Sequence, residues 1–205
     1  MTESGETPET PDGGNAAGGG EAATSADGDA TTGTDTLGAT GAGHRSRRVE
    51  LYFLRHADAG DPAAWRGPDE ERPLSAKGVK QARRLGRFLD RAGFAADAIV
   101  TSPKLRAAET AKAVGKALRV KVYSNARLAS SVSLGELERV LDAADGARRI
   151  VLVGHDPDFS ELVSGLSGGH VAMAKGALAR VDVERPLVLG TGSLRWLIPP
   201  DALRG

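Results

Sequence analysis

Two arginines and two histidines stand where short apolar runs end, and together they outline a phosphate-handling site. Leu51-Tyr52-Phe53-Leu54 runs into Arg55 and His56, Ile99-Val100-Thr101-Ser102-Pro103 leads to Arg106, and Ile150-Val151-Leu152-Val153-Gly154 ends at His155. Apolar runs of this length read as buried strands, and in an open α/β sheet the carboxyl ends of parallel strands form the ligand crevice. A guanidinium is a planar fork of donors suited to phosphate oxygens. A neutral imidazole can attack phosphorus and form a phosphohistidine. Such a nucleophile needs its other ring nitrogen held by an acceptor, and a backbone carbonyl would fix the tautomer. Arg55 and Arg106 would clamp the transferring phosphoryl group, whose charge lies on its equatorial oxygens. His155 would donate a hydrogen bond to the same group. Each residue also has a plainer reading: His56 as a core or capping histidine, Arg106 as a partner of Glu109 at i, i+3 spacing, and His155 as a cap on the following helix.

The elements that must position these side chains are legible in the same way. Val49–Leu54 is a strand. Asp61–Pro73 contains Gly and Pro and reads as a loop; within it Arg72 either reaches the mouth of the site or sits beside Glu70 and Glu71. Ser75 caps a helix from Ala76 to about Ala92, stopped by Gly93, with Val79, Ala82, Leu85, Gly86 and Leu89 on one face and Lys80, Arg83, Arg84 and Arg87 on the other. Ala98–Thr101 is the second strand. Ser102 is expected to cap the next helix, with Pro103 at its first position, and that helix runs to about Leu118. Val120–Tyr123 is a short strand, and Ser133-Leu134-Gly135-Glu136 is a capping box opening a helix to about Ala144. Arg149–Val153, the most apolar strand, belongs at the centre of the sheet. Pro157 begins a helix that ends before Gly168-Gly169, so Asp156 reads as its cap. Leu178–Val183 and Ser193–Ile198 alternate as strands of an antiparallel hairpin. Strands alternating with helices predict an α/β sandwich with a mostly parallel sheet.

Composition bounds the rest. The chain of 205 residues has no Cys, which excludes disulfides, thiol nucleophiles and zinc–thiolate sites and fits the cytoplasm. Residues 1–44 carry eight Asp and Glu and no Lys or Arg, with almost no large apolar side chain. Such a segment cannot bury enough surface to offset the entropy of ordering, so residues 1–47 are expected to be a disordered acidic tail and residues 48–205 a domain. Taking those eight from the chain's 27 acidic residues leaves 19 against 27 Lys and Arg, a net of +8 that suits an anionic substrate. The basic residues do not alternate with aromatics, so no nucleic-acid partner is expected. A basic start with an apolar core, the mark of a secretory signal, is missing, and no apolar stretch approaches the roughly 18 residues that span a membrane. His44 and His170 lack companions at metal-ligand spacing, and there is no P-loop pattern, so neither metal nor cofactor is expected.

Four motifs, LRHA at Leu54–Ala57, RPLSAKG at Arg72–Gly78, TSPKLRAAETA at Thr101–Ala111 and VGHDP at Val153–Pro157, resemble in order those of the histidine phosphatase superfamily, and most of all the SixA-type phosphohistidine phosphatases. The resemblance covers roughly Val49 to Pro199. It implies a three-layer α/β/α sandwich like that of the phosphoglycerate mutases. It implies that His56 is the nucleophile, transiently phosphorylated, and that Arg55, Arg106 and His155 bind the phosphoryl oxygens. Asp58 recurs in SixA-like sequences and is a candidate for orienting groups or touching the leaving group, and Arg72 lies in the RPL motif. Asp156 occupies the place of the general acid in the acid-phosphatase branch, so that role stands beside the cap reading. Ala57 departs from the superfamily's usual Gly. The acidic residue that the broad superfamily carries in an insertion after the second arginine has no clear match here, and the short Leu118–Ser133 connection leaves little room for a capping insertion. The implied function is a metal-independent phosphatase with an open site, acting on phosphohistidine in a partner protein. A small-molecule phosphomonoesterase acting on a phosphorylated metabolite and a non-catalytic phosphate-binding module are the alternatives.

Overall fold

The computed structural model describes residues 47–144 and 146–203. All but the last residue of the expected tail lies outside them. The strands are β1 (Arg47–Arg55), β2 (Ala98–Thr101), β3 (Val122–Ser124), β4 (Arg149–Gly154), β5 (Leu178–Arg185) and β6 (Ser193–Ile198), and the helices are α1 (Ala76–Arg91), α2 (Leu105–Leu118), α3 (Leu134–Ala143) and α4 (Asp158–Ser167). They form one six-stranded sheet in the order β3-β2-β4-β1-β5-β6. β1 pairs with β4, β4 with β2 and β2 with β3 in parallel, whereas β5 lies antiparallel between β1 and β6. The expected α/β sandwich with a mostly parallel sheet, a central β4 and a C-terminal antiparallel hairpin is therefore the fold observed.

The two faces of the sheet explain why Leu51–Leu54 of β1 and Ile150–Val153 of β4 are all apolar. Val49, Leu51 and Phe53 of β1, with Ile150 and Leu152 of β4, pack into a core with α3 and α4. Tyr52 and Leu54, with Val151 and Val153, pack on the other face against α1 and α2. Side chains of a strand alternate between faces, so a strand covered on both sides has no polar positions to spare. Phe159 of α4 anchors the first core, meeting Phe53 edge-on with ring centroids 5.3 Å apart, and burying a side chain of that size contributes about 1.5–3 kcal/mol. Its ring lies where a side chain on Gly154 would project: a Cβ there would come within 2.5 Å of it. Glycine at the tip of β4 is thus required by packing.

Local rules set the helix starts, with two departures. Ser75 and Ser133 cap α1 and α3 as expected, their hydroxyls accepting from Gly78 and Glu136 N–H. α2, however, begins at Leu105 with Lys104 as its cap residue, not at Pro103. Ser102 folds the chain one step earlier by accepting from Lys104 N–H at 3.2 Å. Asp156 does not cap α4 either. Pro157 is the cap residue and no side chain bonds the first turn, because the Asp156 carboxylate is drawn elsewhere. Among the described residues no helix is long and apolar enough to cross a membrane.

Candidate active site

The sheet register places the candidate residues side by side. Arg55 lies opposite Gly154 in the β1–β4 pairing, and Thr101 opposite Val153 in the β2–β4 pairing. The next residues along, His56, His155 and Ser102, therefore emerge together at the carboxyl ends of three adjacent parallel strands. The chain leaves β1 and β2 into α1 and α2 on one face and leaves β4 into α4 on the other, so a crevice opens between the departing chains. The His56 and His155 ring centroids are 5.2 Å apart.

His56 is 6% exposed. Its Nδ1 lies 2.8 Å from the Ala57 carbonyl oxygen, an acceptor that fixes the proton on Nδ1 and leaves the lone pair on Nε2. Burial, opposed by that hydrogen bond and reinforced by the Arg106, Arg55 and Arg72 guanidiniums, lowers its pKa to about 4. The ring is neutral at physiological pH and carries its lone pair on Nε2, the state a nucleophile needs. Ala57 is itself held, its N–H donating to Thr110 Oγ1 at 3.1 Å, and it is not among the residues with positive φ. Alanine in place of glycine thus carries no backbone strain.

Arg106 comes from the first turn of α2 and is 5% exposed. Its Nε–H donates to His56 Nε2 at 3.3 Å. It makes no pair with Glu109, whose carboxylate instead accepts from Leu74 N–H at 2.8 Å. The other two Arg106 nitrogens go to one residue, Asp69: Nη1 to its carbonyl at 2.7 Å and Nη2 to its carboxylate at 2.9 Å. Arg72 donates to the same carboxylate through Nε at 3.1 Å and, through Nη1, to the Ala59 carbonyl at 2.9 Å, so its partner is Asp69 rather than Glu70 or Glu71. Lys104 Nζ is 4.0 Å from Asp69 as well. Burial works to raise the Asp69 pKa, but the hydrogen bonds from Arg72 and Arg106 outweigh it and hold the group below the usual carboxylate range. Asp69 lies outside the sequence motifs. The signal that could have found it is an acid three residues before the arginine of RPL, a spacing that a 3-10 turn, here Asp69–Glu71, brings to one side.

His155 Nε2 lies 2.8 Å from Ser102 Oγ, so Ser102 orients this ring, and His155 is not a helix cap. Its Nδ1 has no partner among the described residues, nor has Arg55 Nε, and both are buried. Burial, then His56, Arg106 and Lys104, lower the His155 pKa to about 3. Arg55 Nη1 donates to the Met173 carbonyl at 2.5 Å and lies 3.3 Å from Asp156 Oδ2. The Asp156 carboxylate also accepts from Ser160 Oγ–H at 2.9–3.0 Å. The Asp58 carboxylate is engaged by its own loop: it accepts from Ser75 Oγ–H at 2.6 Å and Gly60 N–H at 3.1 Å, and the Ser75 bond is the main reason its pKa is lowered. Among the described residues no group of three or more His, Asp or Glu side chains is placed to hold a metal ion.

The profile of the histidine phosphatase superfamily, branch 1, matches residues 51–150, the span that contains Arg55, His56 and Arg106 and ends at the start of β4. The chain belongs to the histidine phosphatase superfamily. Within it the chain is similar to phosphohistidine phosphatase SixA of Escherichia coli, 25% identical over 162 residues, covering 76% of this chain and 97% of that protein. It is 34% identical over 171 residues to an uncharacterized protein of Picosynechococcus, covering 74% of this chain and all of that one. Among solved structures, the protein histidine phosphatase SixA complexed with tungstate superposes with a TM-score of 0.67 at 23% identity, over 76% of this chain and 100% of that one. The alpha-ribazole phosphatase of Shigella flexneri superposes with 0.58 at 19% identity, over 74% and 97%. At those identities the superpositions speak for the fold. They agree with the six-stranded sheet of this SixA-like histidine phosphatase.

Proposed function

We propose that the protein is a metal-independent phosphatase working through a phosphohistidine intermediate, with phosphohistidine on a partner protein as its substrate. His56 Nε2 attacks phosphorus in line with the departing nitrogen. The P–N bond of the substrate breaks as the new Nε2–P bond forms, and the leaving imidazole keeps or takes up a proton. Water then attacks the phosphorylated His56, releases orthophosphate and restores the neutral ring. As the phosphoryl group arrives, the Arg106 Nε–H moves from the His56 lone pair to a phosphoryl oxygen, freeing the nucleophile at the moment it is needed. Arg55 Nε and His155 Nδ1, both buried and without a partner among the described residues, are the natural donors to the remaining oxygens. For His155 this requires a proton on Nδ1, supplied by the tautomer in which Ser102 donates to Nε2 or by the imidazolium that a bound oxyanion would favour. Arg72 supports the anion from behind Asp69. Asp58 shapes the loop through Ser75.

The observation that carries the choice of substrate is the engagement of every nearby carboxylate: Asp58 with Ser75, Asp69 with Arg72 and Arg106, Asp156 with Arg55 and Ser160. An alkyl ester needs a proton donor for its leaving oxygen, a service typically worth about 10²–10⁴-fold. A phosphoramidate with a protonated imidazole needs none. The test is phosphate release from a phosphohistidine protein, a simple aryl phosphate and sugar phosphates under one set of conditions. The reading requires the highest kcat/KM on phosphohistidine. A sugar phosphate turned over better would replace it with the small-molecule phosphomonoesterase, and no release from any substrate would leave a phosphate-binding module.

A further inference from the structure

We infer that the groove between α1 and α2 is a docking surface for an acidic helix of the protein that carries the phosphoryl group; this rests on the reading of the substrate as a phosphoprotein. The groove has a volume of ≈ 640 Å³ and is lined by Arg83 and Arg87 from α1 and by Lys112 and Lys116 from α2. Each pair is spaced i, i+4, so two rows of cations, each with a one-turn repeat, border the groove. All four side chains are exposed, and none has an ion-pair partner among the described residues. Between the rows the lining is small and apolar: Val79, Ala113 and Ala117. The helices come close here because Gly86 lacks a side chain. A Cβ on it would lie 2.9 Å from the Ala117 methyl.

The groove reaches the loop between β1 and α1, which carries Arg72. Its near end is Leu74 and Glu109, joined by the Leu74 N–H bond to the Glu109 carboxylate. Leu74 follows Arg72 by two residues, and Glu109 follows Arg106 by three, nearly one helical turn. The one acid in the lining is thus turned to the backbone of the site loop, leaving the cations unopposed.

The chemistry of the lining selects the occupant. Two rows of cations with a one-turn repeat over an apolar floor match an amphipathic helix with Asp or Glu flanking an apolar stripe. A single-stranded nucleic acid would need aromatic platforms, and the groove lining has no aromatic side chain. A membrane surface would need large exposed apolar groups to insert. Among the described residues the exposed large apolar side chains are Trp65, Leu105, Tyr123, Val188, Leu189 and Leu194, and none of them lines the groove. A metabolite bound in the crevice would not reach it, so the groove favours a macromolecular substrate.

The test uses the full chain and two surface variants, Arg83→Glu/Arg87→Glu and Lys112→Glu/Lys116→Glu, with Arg87→Ala/Lys116→Ala as a milder control, each checked for an unchanged thermal melt. Two readouts are needed. The first is kcat/KM at low salt on an acidic helical protein bearing phosphohistidine and on free phosphohistidine. Charge reversal is expected to lower the first by about tenfold or more and to leave the second unchanged, with the difference collapsing at high salt. The second is direct binding of a synthetic helical peptide of about 20 residues with Glu at i, i+4 and a Leu stripe, compared with an oligo-dT strand and with phosphatidylserine vesicles. The parent should bind the peptide and the variants should not. Equal kcat/KM of parent and charge-reversed chains on the protein substrate, or tighter binding of oligo-dT or vesicles than of peptide, overturns the inference. If the parent releases phosphate from neither form of phosphohistidine, the functional reading fails, and the peptide arm still decides the groove.

Discussion

Burying two neutral histidines at the site makes folding itself sensitive to mild acid. The ordinary histidine pKa of 6.5 is lowered on folding to about 4 at His56 and about 3 at His155. As the pH falls below 6.5 the unfolded chain takes up protons that the native state refuses. Stability is therefore complete above that value and is lost progressively down to the native pKa values, below which the penalty levels off. Each unit of this window costs about 1.36 kcal/mol per group. At pH 5, about 1.5 units below the unfolded value, each ring costs about 2 kcal/mol and the pair about 4 kcal/mol, a large part of a typical stability of about 5–15 kcal/mol. The carboxylates with lowered values act in a lower window, because their ordinary value is 3.8 for Asp58, Asp69 and Asp97 and 4.5 for Glu136. The histidines can thus be read alone between pH 6 and pH 5. Urea unfolding of the parent should lose about 2–2.5 kcal/mol across that interval, and His56→Asn about half as much. Parallel pH profiles for parent and variant would mean that His56 titrates alike in both states, and the argument for a buried neutral nucleophile would be refuted.

Other consequences are equally open to measurement. Asp69→Asn keeps the shape but removes the charge that aligns Arg72 and Arg106. Hydrogen bonds to charged groups are worth about 1.5–3 kcal/mol, so kcat/KM should fall about tenfold or more, with weaker inhibition by tungstate; unaltered kinetics would show that the arginines align without it. Asp156→Asn should weaken the hold on Arg55 and cost within about tenfold on phosphohistidine, whereas a loss of about a hundredfold or more on phosphohistidine and alkyl esters alike would identify Asp156 as a general acid. Gly78→Ala would set a Cβ 1.9 Å from the Asp58 carbonyl. Backbone must move, so a stability loss of about 1–3 kcal/mol or more is expected in urea titrations, and a neutral result would mean that the loop after His56 yields freely.

Much of this was legible because the strands announce themselves. β2 was read residue for residue as Ala98–Thr101, and β4 as central, since four apolar residues in a row admit no solvent face. The family motifs name His56, Arg55, Arg106 and His155; the strand register brings the two histidines and Arg55 together, and the first turn of α2 adds Arg106. What escaped the sequence was the network behind them. Local rules make Ser102 a cap, because serine before a helix usually is one, but its hydroxyl lies against His155, a residue 53 positions away. Asp156 was read as a cap for the same local reason, and the attraction of Arg55 outweighed it. Asp69 went unnoticed because its partners, Arg72 and Arg106, meet only when the loop after β1 folds over the start of α2. Local rules place elements; the long-range pairing of charges is decided by the assembled fold.

The central claim is that His56 Nε2 is the atom that takes the phosphoryl group. Rapid mixing with labelled phosphohistidine substrate, a quench that avoids acid because phosphohistidine is acid-labile, and peptide mapping by mass spectrometry would locate the trapped phosphate. The account predicts the label on Nε2 of His56, formed within a single turnover, and no label and no turnover in a folded His56→Ala chain. Label on His155 or any other residue, or a His56→Ala chain that still releases phosphate, would contradict it.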